Sequence, residues 1–210
     1  MTVYDQAHEL EENLPSFLTQ EYEAGYEMVV VDETSTDNTD DVLKLLKSDY
    51  PHLYTTFLPK PDRHVTRRRL GLSIGVKASK YEWVIITKCI NKPSNSEMLE
   101  AFSQNIEEDA ELTLGYILKK GILLQPFTSV SDASCHLRKS ERKLKKVRQR
   151  RWMKYILGRY DFIIVKKELA HEMLKFFEQK IPSTKVNGIR MSIVWHNLCH
   201  RSSNILLTSG

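Results

Sequence analysis

Met28-Val29-Val30-Val31-Asp32-Glu33-Thr34-Ser35-Thr36-Asp37-Asn38-Thr39 is the stretch that decides the fold of this chain. An apolar run rich in β-branched residues makes a short buried strand, and two carboxylates end it. A Ser/Thr/Asp/Asn turn follows and hands the chain to a helix. Thr39 reads as the N-cap of that helix, and Asp40 and Asp41 suit the positive end of its dipole. Ligands of open α/β sheets bind at the carboxyl ends of the strands, so the turn sets acids and hydroxyls where a polar ligand would meet them. The same residue types also build an ordinary capping turn, and the turn alone leaves both readings open.

Working outward, short apolar runs alternate with amphipathic stretches, the pattern of a mostly parallel sheet flanked by helices. Leu10, Leu14, Phe17 and Leu18 share a helical face that Pro15 restarts or kinks. Val42, Leu43 and Leu46 form the apolar face of the helix after the turn. Further strands are predicted at Tyr54–Leu58, Trp83–Thr87, Leu112–Tyr116, Phe162–Val165 and Ile205–Leu207. Helices are predicted over Arg67–Ala78, from Ser96 onward, and over Glu168–Phe177, with Leu70, Ile74 and Val76 of the first directed at the core. Ser134–Leu157 reads as one long basic helix. Neither a repeat nor a low-complexity linker divides the 210 residues, which predicts a single domain, α/β in class. Met1–Tyr4 resembles the end of a strand whose apolar beginning is missing, the mark of a shortened chain or of a sheet that tolerates a stub.

Composition is that of an ordinary globular domain, 41% hydrophobic and 28% charged, which excludes collagen-like, coiled-coil and disordered classes. No apolar run approaches the ~20 residues of a membrane-spanning helix. Cys89, Cys135 and Cys199, without an export signal, predict reduced thiols and a cytoplasmic protein. Charge is uneven: residues 1–50 hold thirteen Asp and Glu against two Lys, while residues 138–154 hold ten Lys or Arg against one Glu. The basic segment 138–157 suits a solvated helix, an anionic membrane surface or phosphate, although no nucleic-acid recognition motif accompanies it. Cys135-His136 and His196-x-x-Cys199-His200 offer zinc-ligand types at a spacing that fits no common finger. Gly71 and Gly75 fall in a helix pattern and make no phosphate loop.

Several segments, taken in order, resemble the GT-A fold of bacterial family 2 glycosyltransferases. They are Thr2-Val3-Tyr4-Asp5-Gln6, Glu11-Glu12-Asn13-Leu14-Pro15, Tyr26 to Glu33, Ser35-Thr36-Asp37-Asn38-Thr39, Arg67 to Ala78, Glu82 to Thr87 and Thr113-Leu114-Gly115-Tyr116. The resemblance covers about residues 1–120 and implies a nucleotide-binding half there, with a divergent acceptor half over 121–210. It implies transfer of a sugar from a nucleotide sugar, a UDP-sugar, to a glycan or lipid-linked acceptor of the cell envelope, at the inner face of the membrane. By position it assigns Thr2, Tyr4, Asp32 and Glu33 to the nucleoside and Arg68 and Arg69 to the diphosphate.

Two parts of that chemistry depart from the family pattern. After the strand Trp83–Thr87 the family carries Asp-x-Asp, which holds Mg²⁺ or Mn²⁺ against the diphosphate. Here the positions read Lys88-Cys89-Ile90, followed by Asn91-Lys92-Pro93, and supply no carboxylate. Lys88 sets a positive charge where the metal would be, so no metal ligand is assigned. The acidic cluster expected to supply a general base reads Lys180-Ile181-Pro182-Ser183-Thr184-Lys185-Val186-Asn187, again without an acid, and Glu172 and Glu178 fall on a predicted helix. No catalytic residue is assigned. Two readings stay open: a transferase, or a catalytically inactive relative that binds a partner or membrane through its basic helix.

Overall fold

The computed structural model describes residues 1–58, 67–93, 95–106, 110–118, 121–127, 160–178 and 205–208. Among the described residues thirteen elements run in the order β1 (Thr2–Val3), α1 (Ala7–Leu18), β2 (Met28–Asp32), α2 (Thr39–Asp49), β3 (Leu53–Phe57), α3 (Arg67–Ala78), β4 (Trp83–Thr87), α4 (Met98–Asn105), β5 (Leu112–Leu118), β6 (Gly121–Phe127), β7 (Phe162–Lys166), α5 (Lys167–Glu178) and β8 (Ile205–Thr208). The basic segment 138–157, the Cys/His pairs and the stretch 180–187 lie outside the described residues.

The described strands form two sheets. β1, β2 and β3 are parallel, with Val31 opposite Thr2 and Thr56. The second sheet has the order β4-β7-β5-β6-β8 and every pair in it is antiparallel. Parallel pairing is thus confined to the first half, where helices α1 and α2 make the crossovers that parallel strands require. In the second half, β5 and β6 are separated by only two residues, a length that fits a hairpin and no crossover.

Apolar clusters cover both faces of the sheets. Leu72 and Val76 of α3 and Leu174 of α5 pack with Ile86, Leu112, Leu114, Ile163 and Val165 on one face. On the other, Leu10, Leu14 and Phe17 of α1, Val42 and Leu43 of α2, and Met98 and Phe102 of α4 pack with Val3, Val30, Phe162 and Ile164. Residues 162–165 of β7 alternate between the two clusters, as the pleat demands of a strand buried on both sides. Of the three residues of α3 expected in the core, Val76 is buried and Leu70 and Ile74 are only half-buried; Gly71, Leu72 and Ser73 also turn inward. Pro15 is held inside α1, which continues through it to Leu18.

β1 is short, and its ladder is correspondingly brief. The Met1 amino group donates to Val29 O at 2.6 Å, Val31 N–H to Met1 O at 3.0 Å, and Glu33 N–H to Val3 O at 2.8 Å. Burial depresses the Met1 amino group to about 5.

Phe102 joins α4 to the sheet: it is 1% exposed and stands edge-to-face to Phe162, with ring centroids 5.4 Å apart. Truncating it removes that ring contact. Phe102→Ala should cost about 3–5 kcal/mol in unfolding free energy, read from urea denaturation.

Candidate nucleotide site

The turn after β2 is a capping device first. Asp32 Oδ1 accepts from Ser35 N–H at 2.9 Å and from Ser35 Oγ at 2.6 Å, an Asx turn that closes the corner. The rest of the turn is bonded to the loop between β1 and α1. Asp5 N–H donates to Ser35 Oγ, Gln6 N–H to Thr39 Oγ1 and Ala7 N–H to Asp37 Oδ2. Asp5 Oδ1 in return accepts from Thr36 N–H at 2.6 Å and from its hydroxyl. The two loops thus satisfy each other's polar groups, and Ala7, the first residue of α1, has its amide capped from another loop.

This corrects the expected N-cap. Asn38 occupies that position of α2 without a side-chain bond, and Thr39 is the first helical residue. The Thr39 hydroxyl serves Gln6 instead, while Asp37 Oδ1 accepts from Thr39 N–H at 3.0 Å. These bonds hold the exposed Asp37 carboxyl below the ordinary carboxylate range, the Thr39 contact foremost.

Glu33 has a different fate. It is 8% exposed, on the strand-end turn where Thr34 takes a left-handed φ of 68°. A β-branched residue there is a true outlier, and such strain persists only where surrounding contacts enforce it. The Thr34 hydroxyl is 3.4 Å from Leu58 O. Burial raises the Glu33 carboxyl above its ordinary value; a hydrogen bond with the Thr2 side chain and the charges of Arg68 and Arg67 oppose that rise, and Asp32 adds to it.

Gly71 explains how α3 comes so close. A Cβ built on it would meet Thr2 Cγ2 at 2.8 Å, with Glu33 Cγ at 3.7 Å. At Gly75, one turn later, a Cβ would lie 3.3 Å from Val31 Cγ2. The two glycines let the helix backbone lie against β1 and β2, which carries the arginines of its first turn toward Glu33. Arg67 also stands over the Tyr4 ring, 5.3 Å from its centroid, a cation–π contact at an exposed tyrosine.

Of the residues singled out by sequence, the structure therefore gathers Thr2, Glu33 and Arg68, with Asp32 alongside but engaged by Ser35. Arg69 is half-buried, and the arginines acting on Glu33 are Arg68 and Arg67. Arg67, Gly71 and the Tyr4–Arg67 contact are what sequence reasoning missed. The four-residue spacing of Gly71 and Gly75 was the available signal, because small residues one turn apart mark a close helix approach.

At the end of β4, Lys88 is half-buried, Cys89 is 2% exposed and Ile90 is 67% exposed. Cys89 O accepts from the buried Asn13 Nδ2 at 3.1 Å, and burial pushes its thiol up to about 12. Asn91 is buried too, with Nδ2 donating to Thr87 Oγ1 at 3.0 Å and Asp161 O at 2.7 Å. An ammonium, a protonated thiol and an exposed alkyl group do not fit Mg²⁺ or Mn²⁺, which require oxygen ligands. Among the described residues no cluster of three His, Cys, Asp or Glu could hold a metal ion.

Comparison with known proteins fits this arrangement. The glycosyl transferase family 2 model matches residues 1–87, from β1 to the end of β4. The mannosyltransferase PcManGT of Pyrobaculum calidifontis, solved with GDP-Man and Mn²⁺, superposes on 82% of this chain with a TM-score of 0.52 at 18% identity. S. aureus TarS 1-349 matches 55% of it at 18% identity with a TM-score of 0.45. The chain covers 44% and 40% of those two proteins. No match was found among curated proteins. The resemblance to family 2 glycosyltransferases thus holds over residues 1–87, and the fold is of their GT-A type.

Two outcomes test the site as described. Gly71→Val should push Thr2 off Glu33 and destabilise the fold by about 1–3 kcal/mol, measured by denaturant titration. The Glu33 carboxyl is raised in the folded state, so stability should fall as pH rises from its ordinary range through its folded value. Glu33→Gln should remove that slope, seen in melting temperatures collected from pH 4 to 8.

Proposed function

We propose that residues 1–87 hold a nucleotide sugar at the carboxyl ends of β1 and β2, and that the chain passes its sugar to a glycan or lipid-linked acceptor without a divalent cation. The observation that carries this is the Thr2–Glu33–Arg68 group, built by the close approach of α3 at Gly71. A carboxylate and a hydroxyl at strand ends suit the donors of a base or ribose, and the arginines beside them suit a diphosphate. PcManGT, whose fold this chain shares, was solved with a nucleotide sugar, GDP-Man. The sequence reading favours a UDP-sugar, and Tyr4, Asp32 and Arg69 complete the proposed surround. Lys88 contributes a fixed positive charge at the end of β4 in place of the metal. The proposed division sets nucleotide recognition in residues 1–120 and acceptor recognition in 121–210. Among the described residues no helix is long and apolar enough to cross a membrane, and contact with an anionic surface is proposed for segment 138–157.

A second reading is favoured by Lys88-Cys89-Ile90: a relative that retains nucleotide binding and has lost transfer. Differential scanning fluorimetry with UDP, UDP-sugars, GDP and GDP-Man, with and without Mn²⁺, addresses binding. A uridine nucleotide should raise the melting temperature by several degrees, Mn²⁺ should add little, and Arg68→Ala should abolish the response. Release of UDP from a UDP-sugar in the presence of acceptor then separates transferase from binding module. Lys88→Asp with Ile90→Asp should create Mn²⁺ dependence of binding. A strong Mn²⁺ requirement in the native chain would refute the metal-free reading, and a melting temperature indifferent to every nucleotide would refute both.

A further inference from the structure

The end of β4 lies beside a carboxyl that the nucleotide site does not use. β2 and β4 start side by side, because Lys80 N–H, just before β4, donates to Glu27 Oε1, just before β2. They also end under the same turn of α3. Gly71 lies against Thr2 and Glu33, while Leu72, the next residue, packs in one cluster with Ile86 and Tyr160. Asp161 follows Tyr160 and leads into β7.

Asp161 is held by its main chain from both sides. The register that pairs Thr87 with Phe162, carried on by one residue, sets Asp161 opposite Lys88. Asn91 N–H closes a turn on Lys88 O at 3.1 Å, and Asn91 Nδ2 donates to Asp161 O at 2.7 Å. Asp161 N–H bonds to Gly115 O at 2.9 Å. Tyr160 is buried, its ring 4.4 Å from that of Tyr116, which fixes the chain one residue earlier. The Asp161 side chain is half-buried, and its Oδ2 accepts from Ile117 N–H at 2.8 Å. Among the described residues this is the one bond of the carboxyl, so Oδ1 keeps its lone pairs. The acids of the first sheet are placed differently. Asp32 closes on Ser35, Asp5 and Asp37 tie the paired loops together, and Glu33 bonds with Thr2.

We propose that Asp161 is the general base of the transfer, a role that rests on the nucleotide-sugar reading. Its Oδ1 receives the proton of the acceptor hydroxyl as that oxygen bonds to the anomeric carbon of the donor sugar. The bond from that carbon to the diphosphate oxygen breaks, and its electron pair leaves with the nucleoside diphosphate. The carboxyl ends neutral and the diphosphate gains the negative charge, with the Lys88 ammonium at the end of the neighbouring strand. Oδ2 stays on Ile117 N–H throughout, so the base holds its direction. A carboxylate absent from 180–187 is thereby supplied at the entry to β7, within the half proposed to meet the acceptor.

Water can take the place of the acceptor hydroxyl, so donor hydrolysis tests the step without an identified acceptor. Of UDP-glucose, UDP-GlcNAc and GDP-Man, the one that raises the melting temperature of the full chain most serves as donor, and release of nucleoside diphosphate is followed. Asp161→Asn keeps an oxygen for Ile117 N–H. It should lower kcat by about 10²–10⁴-fold while KM and the melting shift with donor stay unchanged. Glu9→Gln removes the carboxyl of α1 whose charge reaches Cys89, and should leave the rate as it is. If Asp161→Asn does not fold, Asp161→Ala replaces it, and added formate should restore part of the lost rate. A rate of Asp161→Asn equal to the native one overturns the proposal, as does loss of the melting shift together with the rate. So does a loss confined to Glu9→Gln, an Asp161→Ala that gains nothing from formate, or a native chain that binds donor and never releases diphosphate. A native chain that binds no donor refutes the nucleotide-sugar reading itself, and this role with it.

Discussion

The first sheet and its helices depend on the reciprocal bonding of two loops. β1 contributes two residues to the ladder, too few to fix the β1–α1 connection by strand pairing alone. The amides of Asp5, Gln6 and Ala7 are instead received by Ser35, Thr39 and Asp37, and Asp5 returns bonds to Thr36. Asp5 can do so because it too sits at positive φ, 47°, a conformation Asp tolerates better than most residues. The loop pair therefore fixes where α1 begins and where β1 ends. Thr2 is held opposite Val31, beside Glu33, as a consequence.

A second constraint sets the chemistry of the pair. α3 lies against β1 and β2 through two positions without side chains, so its first turn delivers guanidinium groups to a carboxyl whose ionisation burial opposes. Charge and burial act in opposite directions on Glu33. β4 ends differently: Cys89 is drawn into the core by Asn13, and the chain beyond it is tied to Asp161 through Asn91. Placing oxygen ligands there means changing a segment whose neighbours make structural bonds.

Much of the fold was legible in the sequence because buried strands announce themselves as unbroken apolar runs. Trp83–Thr87 and Arg67–Ala78 have the bounds that composition predicts. β6 was not legible: Pro126 within Gly121–Phe127 argues against a strand. It is tolerated because β8 pairs only with residues 121–124, so Pro126 lies past that ladder. The N-cap was misread because a tertiary partner, Gln6, took the Thr39 hydroxyl, and a single-strand reading sees only local partners. In the site, Thr2, Glu33 and Arg68 could be named from position along the chain. Arg67 and Gly71 could not, since their roles arise from how close a helix lies to a sheet, which periodicity does not report.

The division into two sheets carries a mechanical consequence. Among the described residues no backbone ladder joins β1–β3 to β4 and its partners; side-chain packing around Val3, Cys89, Phe102 and Phe162 joins them instead. Ladder bonds are directional and resist sliding, whereas methyl and ring contacts exchange neighbours at small cost. Among the described residues the seam thus resists sliding less than the ladders within either sheet do. Opening would begin along it, leaving each sheet's own hydrogen bonds intact and making the halves separate units of cooperativity.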